Sequence, residues 1–405
     1  MGIMKEFELQ NGIKSSYKQN KNTPRTALAL NVAINEPEKI PGVYSLMNRL
    51  LLQGTKNRTS EQLANELEEN AIELSCEMKQ DFLSFHIVCL NEDFELAVEL
   101  LEDVIKNSTF EEFEKERNKL EGEIPAELDS AKTRALDNYL KTIFKDHFYG
   151  NSHTKILENL PNIAKNDVIE AFDKIMTTGK KVFAFVGDKD FDYVKDILNK
   201  HFGNIKNNNI QKTLIITPTL AKKEIVEYIK HDSNQAQIFQ GWLVPTFDSP
   251  EYTPFIVLNT LLGSSGLSSR LFCELRDKKG LAYTVRSSYE RYRTCANFNI
   301  YIATEPKNID VSLSGFMEEI QKIKDVLVGE QELTNAKNNY IGKQEFFSET
   351  NLRQAIAAAY FGIMGLGFDF KNTLIKKVKE VKAEELQEIA RKYLNDVSVI
   401  SILKP

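Results

Sequence analysis

The feature that most constrains the fold is an internal pseudo-repeat, in which the two halves of the chain present the same order of elements. "TALALNVAI" (26–34) reads as a β-rich strand, and the helix that follows it ends near Gly54. "QAQIFQGWLV" (235–244) reads as a second such strand, and the helix that follows it ends at Gly263. Each half therefore has the elements of a separate domain.

The repeat continues along both halves of the chain. Each half goes on with a second helix, a pair of strands, a long amphipathic helix, further helices and a final strand. In the second helices, Leu63 and Leu67 match Leu271 and Leu275 in their four-residue spacing. At this chain length, more than one hydrophobic core is expected. We predict an α+β fold in which each domain is a mixed, mainly antiparallel sheet covered by helices.

The predicted boundaries follow from the same repeat. The first domain covers residues 1–203 and the second covers residues 225–405. The segment 204–224 is polar, rich in asparagine and contains a proline, so it is predicted to be the interdomain linker.

Composition excludes several classes of partner and compartment. The 405 residues have a formal net charge of −6, which gives no electrostatic basis for binding nucleic acid or an anionic membrane. The four cysteines lack metal-type spacing and are too few for a disulfide scaffold. No apolar run has the length of a signal peptide or of a membrane span. A cytoplasmic location is expected, or a periplasmic one if a signal sequence preceded residue 1.

The helix in "GVYSLMNRLLLQGT" (42–55) has one apolar face and one polar face. Ser45, Asn48 and Arg49 stand at i, i+3 and i+4, so they share the polar face. Arginine stays protonated and repels cations, while neutral hydroxyl and amide groups are weak zinc ligands. This face is not expected to bind a metal ion.

Three long stretches resemble one known family. They are "GVYSLMNRLLLQGTKNRTSEQLANELE" (42–68), "FEEFEKERNKLEGEI" (110–124) and "GLSSRLFCELRDKKGLAYTVRSSY" (266–289). All three are similar to the pitrilysin/insulinase superfamily of zinc peptidases, near its mitochondrial-processing-peptidase-like bacterial branch. The resemblance implies two homologous metallohydrolase-like domains and covers nearly the whole chain.

The resemblance also shows where this chain departs from the family's zinc site. Ser45 and Arg49 stand at the positions of the two zinc histidines of the HxxEH motif, and Asn48 stands at the position of its general-base glutamate. Glu123 matches the distal zinc glutamate, and Glu116 matches a supporting carboxylate. Because three of these positions are replaced, we expect the chain to bind no cofactor of its own. The simpler interpretation of Glu123 is a surface carboxylate.

The second half keeps a different part of the site. Arg276 and Tyr283 match the arginine–tyrosine pair that completes the family's active site from the opposite domain. A guanidinium and a phenol can donate hydrogen bonds to a substrate carbonyl and stabilise the oxyanion that forms there. The simpler alternative is an exposed arginine in a salt bridge and an ordinary strand tyrosine.

Two-subunit members of the family divide the site between chains. One chain has the zinc motif and the other supplies the arginine–tyrosine pair. The resemblance therefore implies a non-catalytic, substrate-binding subunit of a heterodimeric zinc endopeptidase, inactive alone, with zinc in the HxxEH-containing partner and unfolded peptide as substrate. The short "GSSG" at 263–266, where mitochondrial non-catalytic subunits have a long glycine-rich loop, argues against presequence-type recognition.

Two alternatives stay open from the sequence. The chain could be a catalytically inert structural or binding protein that retains the peptidase fold, as the core proteins of respiratory complexes do. It could also use a relocated metal site that includes His147, His153 or His231, although none has the spacing of a zinc motif. Whether the isolated chain self-associates as a homodimer is not decided by the sequence.

Overall fold

Two β-sheets, one from each half of the sequence, organise the protein in a computed structural model that describes residues 4–207 and 215–405. The strands are β1 (Lys5–Glu8), β2 (Lys14–Gln19), β3 (Arg25–Ala33), β4 (Glu73–Met78), β5 (Phe82–Leu90), β6 (Lys181–Gly187), β7 (Glu224–Ile229), β8 (Ala236–Val244), β9 (Ala282–Arg291), β10 (Ala296–Thr304) and β11 (Val399–Lys404). The first sheet has the order β1-β2-β6-β3-β5-β4, and the second has the order β7-β11-β8-β10-β9.

The two sheets repeat one topology. The order β2-β6-β3-β5-β4 matches β7-β11-β8-β10-β9 strand for strand, and β1 is an addition at one edge of the first sheet. In each sheet one pair is parallel, β2 with β6 and β11 with β7, and the other pairs are antiparallel. The predicted α+β fold with two homologous, mainly antiparallel sheets is confirmed.

Helices pack on both sheets and supply most of the remaining residues. They are α1 (Val43–Leu50), α2 (Ser60–Glu69), α3 (Phe94–Asn107), α4 (Phe113–Leu128), α5 (Ala131–Ile143), α6 (His153–Asn159), α7 (Lys165–Thr178), α8 (Phe191–Phe202), α9 (Tyr252–Asn259), α10 (Ile309–Asp325), α11 (Glu330–Phe347), α12 (Asn351–Ile363), α13 (Phe370–Glu380) and α14 (Ala383–Tyr393). Two π-helical segments follow α9, at Thr260–Ser264 and Phe272–Lys278.

The chain divides into two compact units, and each is assembled from three stretches of sequence. The first unit comprises Met1–Gly122, Leu157–Ile215 and Phe346–Thr373, and the second comprises Glu123–Ile156, Ile216–Glu345 and Leu374–Pro405. The boundaries predicted from the repeat, 1–203 and 225–405, remain a prediction about sequence segments. Of the predicted linker 204–224, residues 208–214 lie outside the described residues, and β7 begins at its last residue.

Two helices account for the discontinuous units. α5 comes from the first half of the sequence and packs on β8 and β11 of the second sheet. α12 comes from the second half and packs on β3 and β6 of the first sheet. Both faces of the α12 contact are built from small residues, with Ala355 and Ala359 on the helix and Ala29 and Ala184 on the strands, all fully buried. Small side chains let the helix approach the sheet closely.

Gly241 in β8 leaves the space that the α5 side chain of Tyr139 fills. A Cβ atom at position 241 would lie 1.7 Å from the Tyr139 Oη atom, which is fully buried and donates a hydrogen bond of 2.6 Å to Asn297 Oδ1. We expect Gly241→Ala to lower the free energy of unfolding by about 2 kcal/mol, since overpacked cores must shift to relieve such contacts.

Urea denaturation measures this effect, and Gly342→Ala is the matched control. Gly342 lies within α11, and no atom of the described residues that would crowd the side chain lies within 4 Å of an added Cβ. Alanine is the better helix former, so this control should raise the free energy of unfolding by about 0.5–1 kcal/mol. Equal effects of the two substitutions would contradict the packing argument.

The structure also tests the membrane-span and cysteine predictions. Within residues 4–207 and 215–405, no helix has the length and apolar character that crossing a membrane requires. All four cysteines are free thiols; Cys89 and Cys295 are buried, and Cys76 and Cys273 are half-buried.

Candidate functional site

The polar face of α1 is formed as the residue spacing predicts. Val43, Leu46, Met47 and Leu50 are buried against the first unit, whereas Ser45, Asn48 and Arg49 are only half-buried. The helix begins after Gly42, whose φ of 104° suits a residue without a side chain.

Arg49 is held by a buried carboxylate from α4. Its Nε atom lies 3.1 Å from Glu116 Oε2, and the Glu116 side chain is only 4% exposed. Lys119, one turn further along α4, binds the other oxygen of Glu116 at 2.6 Å. Burial alone would raise the pKa of Glu116, but Lys119 and Arg49 outweigh burial and hold that pKa below its ordinary value. The guanidinium thus takes the carboxylate that the family resemblance assigns to a supporting role.

Asn48 and Ser45 add neither a basic nitrogen nor an anionic oxygen that could bind a metal ion to the polar face of α1. The Oδ1 atom of Asn48 is buried and has no hydrogen-bond partner among the described residues, and the Asn48 carbonyl oxygen accepts a hydrogen bond from the Cys76 thiol at 3.2 Å. Glu123 lies on the exposed side of α4. A hydroxyl, an amide and an ion-paired guanidinium do not fit zinc, which takes thiolate, imidazole and carboxylate donors.

The histidines proposed for a relocated metal site have other partners. His147 Nε2 lies 2.8 Å from the backbone oxygen of Ile216, and His153 Nε2 lies 3.1 Å from Glu127 Oε2. His231 is exposed. Throughout the part of the chain that the structure describes, no group of three or more His, Cys, Asp or Glu side chains could hold a metal ion.

Arg276 and Tyr283 are brought together in the second unit. The Cζ atom of Arg276 lies 4.7 Å from the centroid of the Tyr283 ring and 4.4 Å from that of the Phe272 ring. Both distances are within the range of cation–π contacts. The guanidinium thus contacts two aromatic rings, while 78% of Tyr283 is exposed to solvent.

Irregular backbone presents both members of this pair. Arg276 lies in the π-helical segment Phe272–Lys278, and Gly280, with a φ of 62°, makes the turn into β9. Along β9, Thr284 pairs with Ala303 and Ala282 pairs with Thr304, so Tyr283 is the extra residue of a β-bulge. Bulges and π-helical turns redirect side chains and are frequent at functional sites.

An open groove of about 450 Å³ lies beside the pair. β9 is an edge strand of its sheet, and the groove follows it. The groove is lined by Gly263, Ser264, Gly266, Phe272, Arg276, Tyr283, Thr284, Val285, Arg286, Ser287 and Ser288. An unpaired strand edge of this kind can hydrogen-bond an extended peptide.

Gly263 lies at the end of a helix, as predicted, and it has a packing role in addition. The helix α9 continues into the π-helical segment Thr260–Ser264, so it ends one residue after Gly263. A Cβ atom on Gly263 would lie 2.1 Å from the backbone nitrogen of Ser287 in β9. The glycine is required because the helix and the edge strand approach closely here. Gly54, by contrast, has a φ of 113° and lies in the turn after α1.

Sequence reasoning overlooked Phe272 and Arg286. Phe272 precedes Arg276 by four residues on a helix, a spacing that brings side chains together. Arg286 follows Tyr283 by three residues on the edge strand and lines the same groove. The helical spacing could have indicated Phe272, but no local signal points to Arg286.

Known protein families match both halves of this chain. Residues 15–155 match the family described as "Insulinase (Peptidase family M16)", and residues 162–340 match the one described as "Peptidase M16 inactive domain". The chain is 22% identical over 413 residues to "Uncharacterized zinc protease YmxG" of Bacillus subtilis, covering 100% of this chain and 98% of that protein. It is 24% identical over 383 residues to "Uncharacterized zinc protease ML0855" of Mycobacterium leprae, covering 92% and 84%.

Solved structures share the fold over the full length. A peptidase M16 inactive domain from Pseudomonas fluorescens aligns with a TM-score of 0.89 at 21% identity, covering 100% of this chain and 98% of that one. A protease from Helicobacter pylori aligns with a TM-score of 0.89 at 19% identity, covering all of both chains. A chain of complex III2 from Candida albicans aligns with a TM-score of 0.81 at 15% identity, covering 99% and 95%. At these identities the likeness concerns the fold, which does not fix a function.

Proposed function

We propose that this chain, which belongs to the insulinase family of peptidases (M16), is the non-catalytic, substrate-binding subunit of a heterodimeric zinc endopeptidase. The observation that supports this best is the ion pair between Arg49 and the buried Glu116. Because the family resemblance assigns Arg49 to the position of a zinc histidine, a permanent cation would stand there, and this cation engages a carboxylate of the same region. A chain built in this way depends on a partner for metal chemistry.

Arg276 and Tyr283 are the groups that this chain would contribute. The guanidinium N–H groups and the phenolic O–H can donate hydrogen bonds to one substrate carbonyl oxygen and stabilise it as negative charge develops. Phe272 contacts the same guanidinium and would act as a positioning residue. Zinc bound by the HxxEH motif of the partner would supply the activated water.

An unfolded peptide is the substrate that this arrangement suits. The edge of β9 offers backbone hydrogen bonds to any extended segment, and Tyr283 projects from that edge. Backbone pairing gives affinity that depends little on side-chain identity. The residues along the groove would then determine which peptides are preferred.

The test is reconstitution with a homologous chain that retains an intact HxxEH helix. We expect the purified chain alone to contain no stoichiometric zinc by elemental analysis and to cleave no unfolded peptide. Co-expression with the HxxEH chain should give a complex that contains one zinc per heterodimer and cleaves the same peptide.

Two outcomes would reject the proposal. Stoichiometric zinc with peptide cleavage by the chain alone would point to a relocated metal site. A stable complex whose cleavage rate equals that of the HxxEH chain by itself would leave only a structural or binding role for this chain.

A further inference from the structure

The groove beside β9 has a one-sided charge. Among the described residues that line it, Arg276 and Arg286 are the charged ones, and the rest are glycine, hydroxyl, aliphatic or aromatic side chains. No ion pair of 4 Å or less joins either arginine to a carboxylate in the part of the chain that the structure describes. The groove is therefore cationic and has no counter-ion among its own lining residues.

Arg286 lies in a positive environment beyond the groove lining as well. It pairs across the sheet with Tyr301 of β10, and its Cζ atom lies 5.7 Å from that ring. The Nζ atom of Lys132, on α5, lies 5.5 Å from the same ring. Burial and then repulsion by Arg286 lower the pKa of Lys132. Two cations that share one ring raise each other's energy unless an anion joins them.

Glu290, the acidic group on the same strand, interacts electrostatically with Arg286 but forms no ion pair of 4 Å or less with it in the described part of the chain. Glu290 stands four residues along β9 and accepts long hydrogen bonds from Tyr292 and Asn297, at 3.4 and 3.5 Å. Burial raises the pKa of Glu290 despite the opposing effects of these groups and of Arg286. The position beside Arg286 thus remains open to an anion from outside the chain.

We propose that the groove selects peptides bearing a carboxylate and that Arg286 is the residue that determines this specificity. The planar guanidinium presents paired N–H donors that match the two oxygens of a carboxylate. The adjacent strand edge favours a peptide as the bearer of this group, because backbone pairing would lay the chain along β9 past Arg286. This deepens the proposed function and rests on it for the identity of the ligand as substrate.

The spacing along β9 gives the register of the selected group. Arg286 follows Tyr283 by three residues, and a strand rises by about 3.3 Å per residue, so the two positions are about 10 Å apart. The carboxylate should lie about three residues along the bound peptide from the carbonyl that contacts Arg276 and Tyr283. It can belong to an acidic side chain or to the carboxyl terminus of the peptide.

Fluorescence anisotropy with the isolated chain tests this without a partner. The probes are three labelled ten-residue peptides of one sequence: a central Glu with an amidated end, a central Gln with a free carboxyl end, and a central Gln with an amidated end. We expect at least one carboxylate peptide to bind about tenfold more tightly than the neutral one, in line with one charge-assisted hydrogen-bonded pair. The peptide that gains affinity identifies the source of the carboxylate.

Two variants test whether Arg286 causes the preference for the carboxylate peptide. Arg286→Gln should remove the tenfold preference. Arg117→Gln makes the same change of charge at an ion pair of the first unit, with the exposed Glu114, and it should keep the preference. A preference that survives Arg286→Gln, or that is lost equally in Arg117→Gln, would overturn the assignment.

The remaining outcomes separate this inference from the proposed function. Equal binding of all three peptides, or binding of none, overturns carboxylate selection whatever the reconstituted complex does. A clear carboxylate preference in a chain that adds nothing to cleavage by the HxxEH partner rejects the subunit role and leaves a peptide-binding groove.

Discussion

Replacing Arg276 by alanine in the reconstituted heterodimer is expected to lower kcat about a hundredfold, as the loss of one oxyanion donor does in other enzymes. Tyr283→Phe removes one hydroxyl donor and keeps the ring against the guanidinium, so we expect a smaller loss of about tenfold. The measurement is steady-state cleavage of an unfolded peptide, with kcat and KM determined separately. Interactions made in the transition state should reduce kcat and leave KM little changed.

A matched substitution on the same helical segment is the control. Lys278 is exposed, two residues beyond Arg276, and pairs with Glu274. Lys278→Ala makes the same change of net charge and should leave turnover as it is, since exposed ion pairs contribute little. Normal turnover in both Arg276→Ala and Tyr283→Phe would remove the role assigned to the pair. A change in KM alone would assign these residues to substrate binding.

The repeat predicted two similar, mainly antiparallel sheets because it consists of local sequence patterns. Apolar strands such as β3 and β8, each followed by a turn and a helix, occur in the same order in both halves, and both sheets have the same strand order. The strands β1, β2 and β7 were not predicted. The burial of β7 alternates between half-buried and exposed, so its sequence lacks the continuous apolar run of a central strand.

The same patterns could not predict which sheet each helix packs on. The helical periodicity of α5 and α12 shows that each has a face to bury, but it does not say which sheet covers that face. α5 packs on the second sheet and α12 on the first, each opposite to its place in the sequence. Non-local packing of this kind depends on complementary surfaces, such as Tyr139 against Gly241.

Residue identities located the candidate site in the sequence, but they could not predict how its residues contact one another. The family resemblance pointed to Arg276 and Tyr283, but not to the π-helical segment and the β-bulge that bring them together. It also pointed separately to Arg49 and Glu116, 67 positions apart, without indicating that they form an ion pair. Such contacts arise from tertiary structure and cannot be predicted from the local spacing of residues.

Replacing Arg49 by leucine is expected to lower the free energy of unfolding by about 3 kcal/mol at pH 7, because it leaves a buried carboxylate with one cation fewer. Lys119 remains on Glu116, which keeps the loss near the lower end for broken buried pairs. The Glu116 pKa is depressed in the folded protein, so its contribution is present above the unfolded pKa and is lost as the pH falls through the folded value. Urea denaturation at pH 7 and pH 4 measures both effects.

The stability measured at pH 4 distinguishes the loss of a charge interaction from a loss of side-chain packing. Without Arg49, burial acts more strongly on Glu116 and raises its pKa, so Glu116 takes up a proton at a higher pH. The difference in stability between the two proteins should therefore shrink from pH 7 to pH 4.

Arg49→Leu/Glu116→Leu should recover most of the loss, since no buried charge remains. Arg117→Leu, whose partner Glu114 is exposed, should cost less than about 1 kcal/mol. A loss in Arg49→Leu no larger than in Arg117→Leu would show that the ion pair between Arg49 and Glu116 contributes nothing to stability.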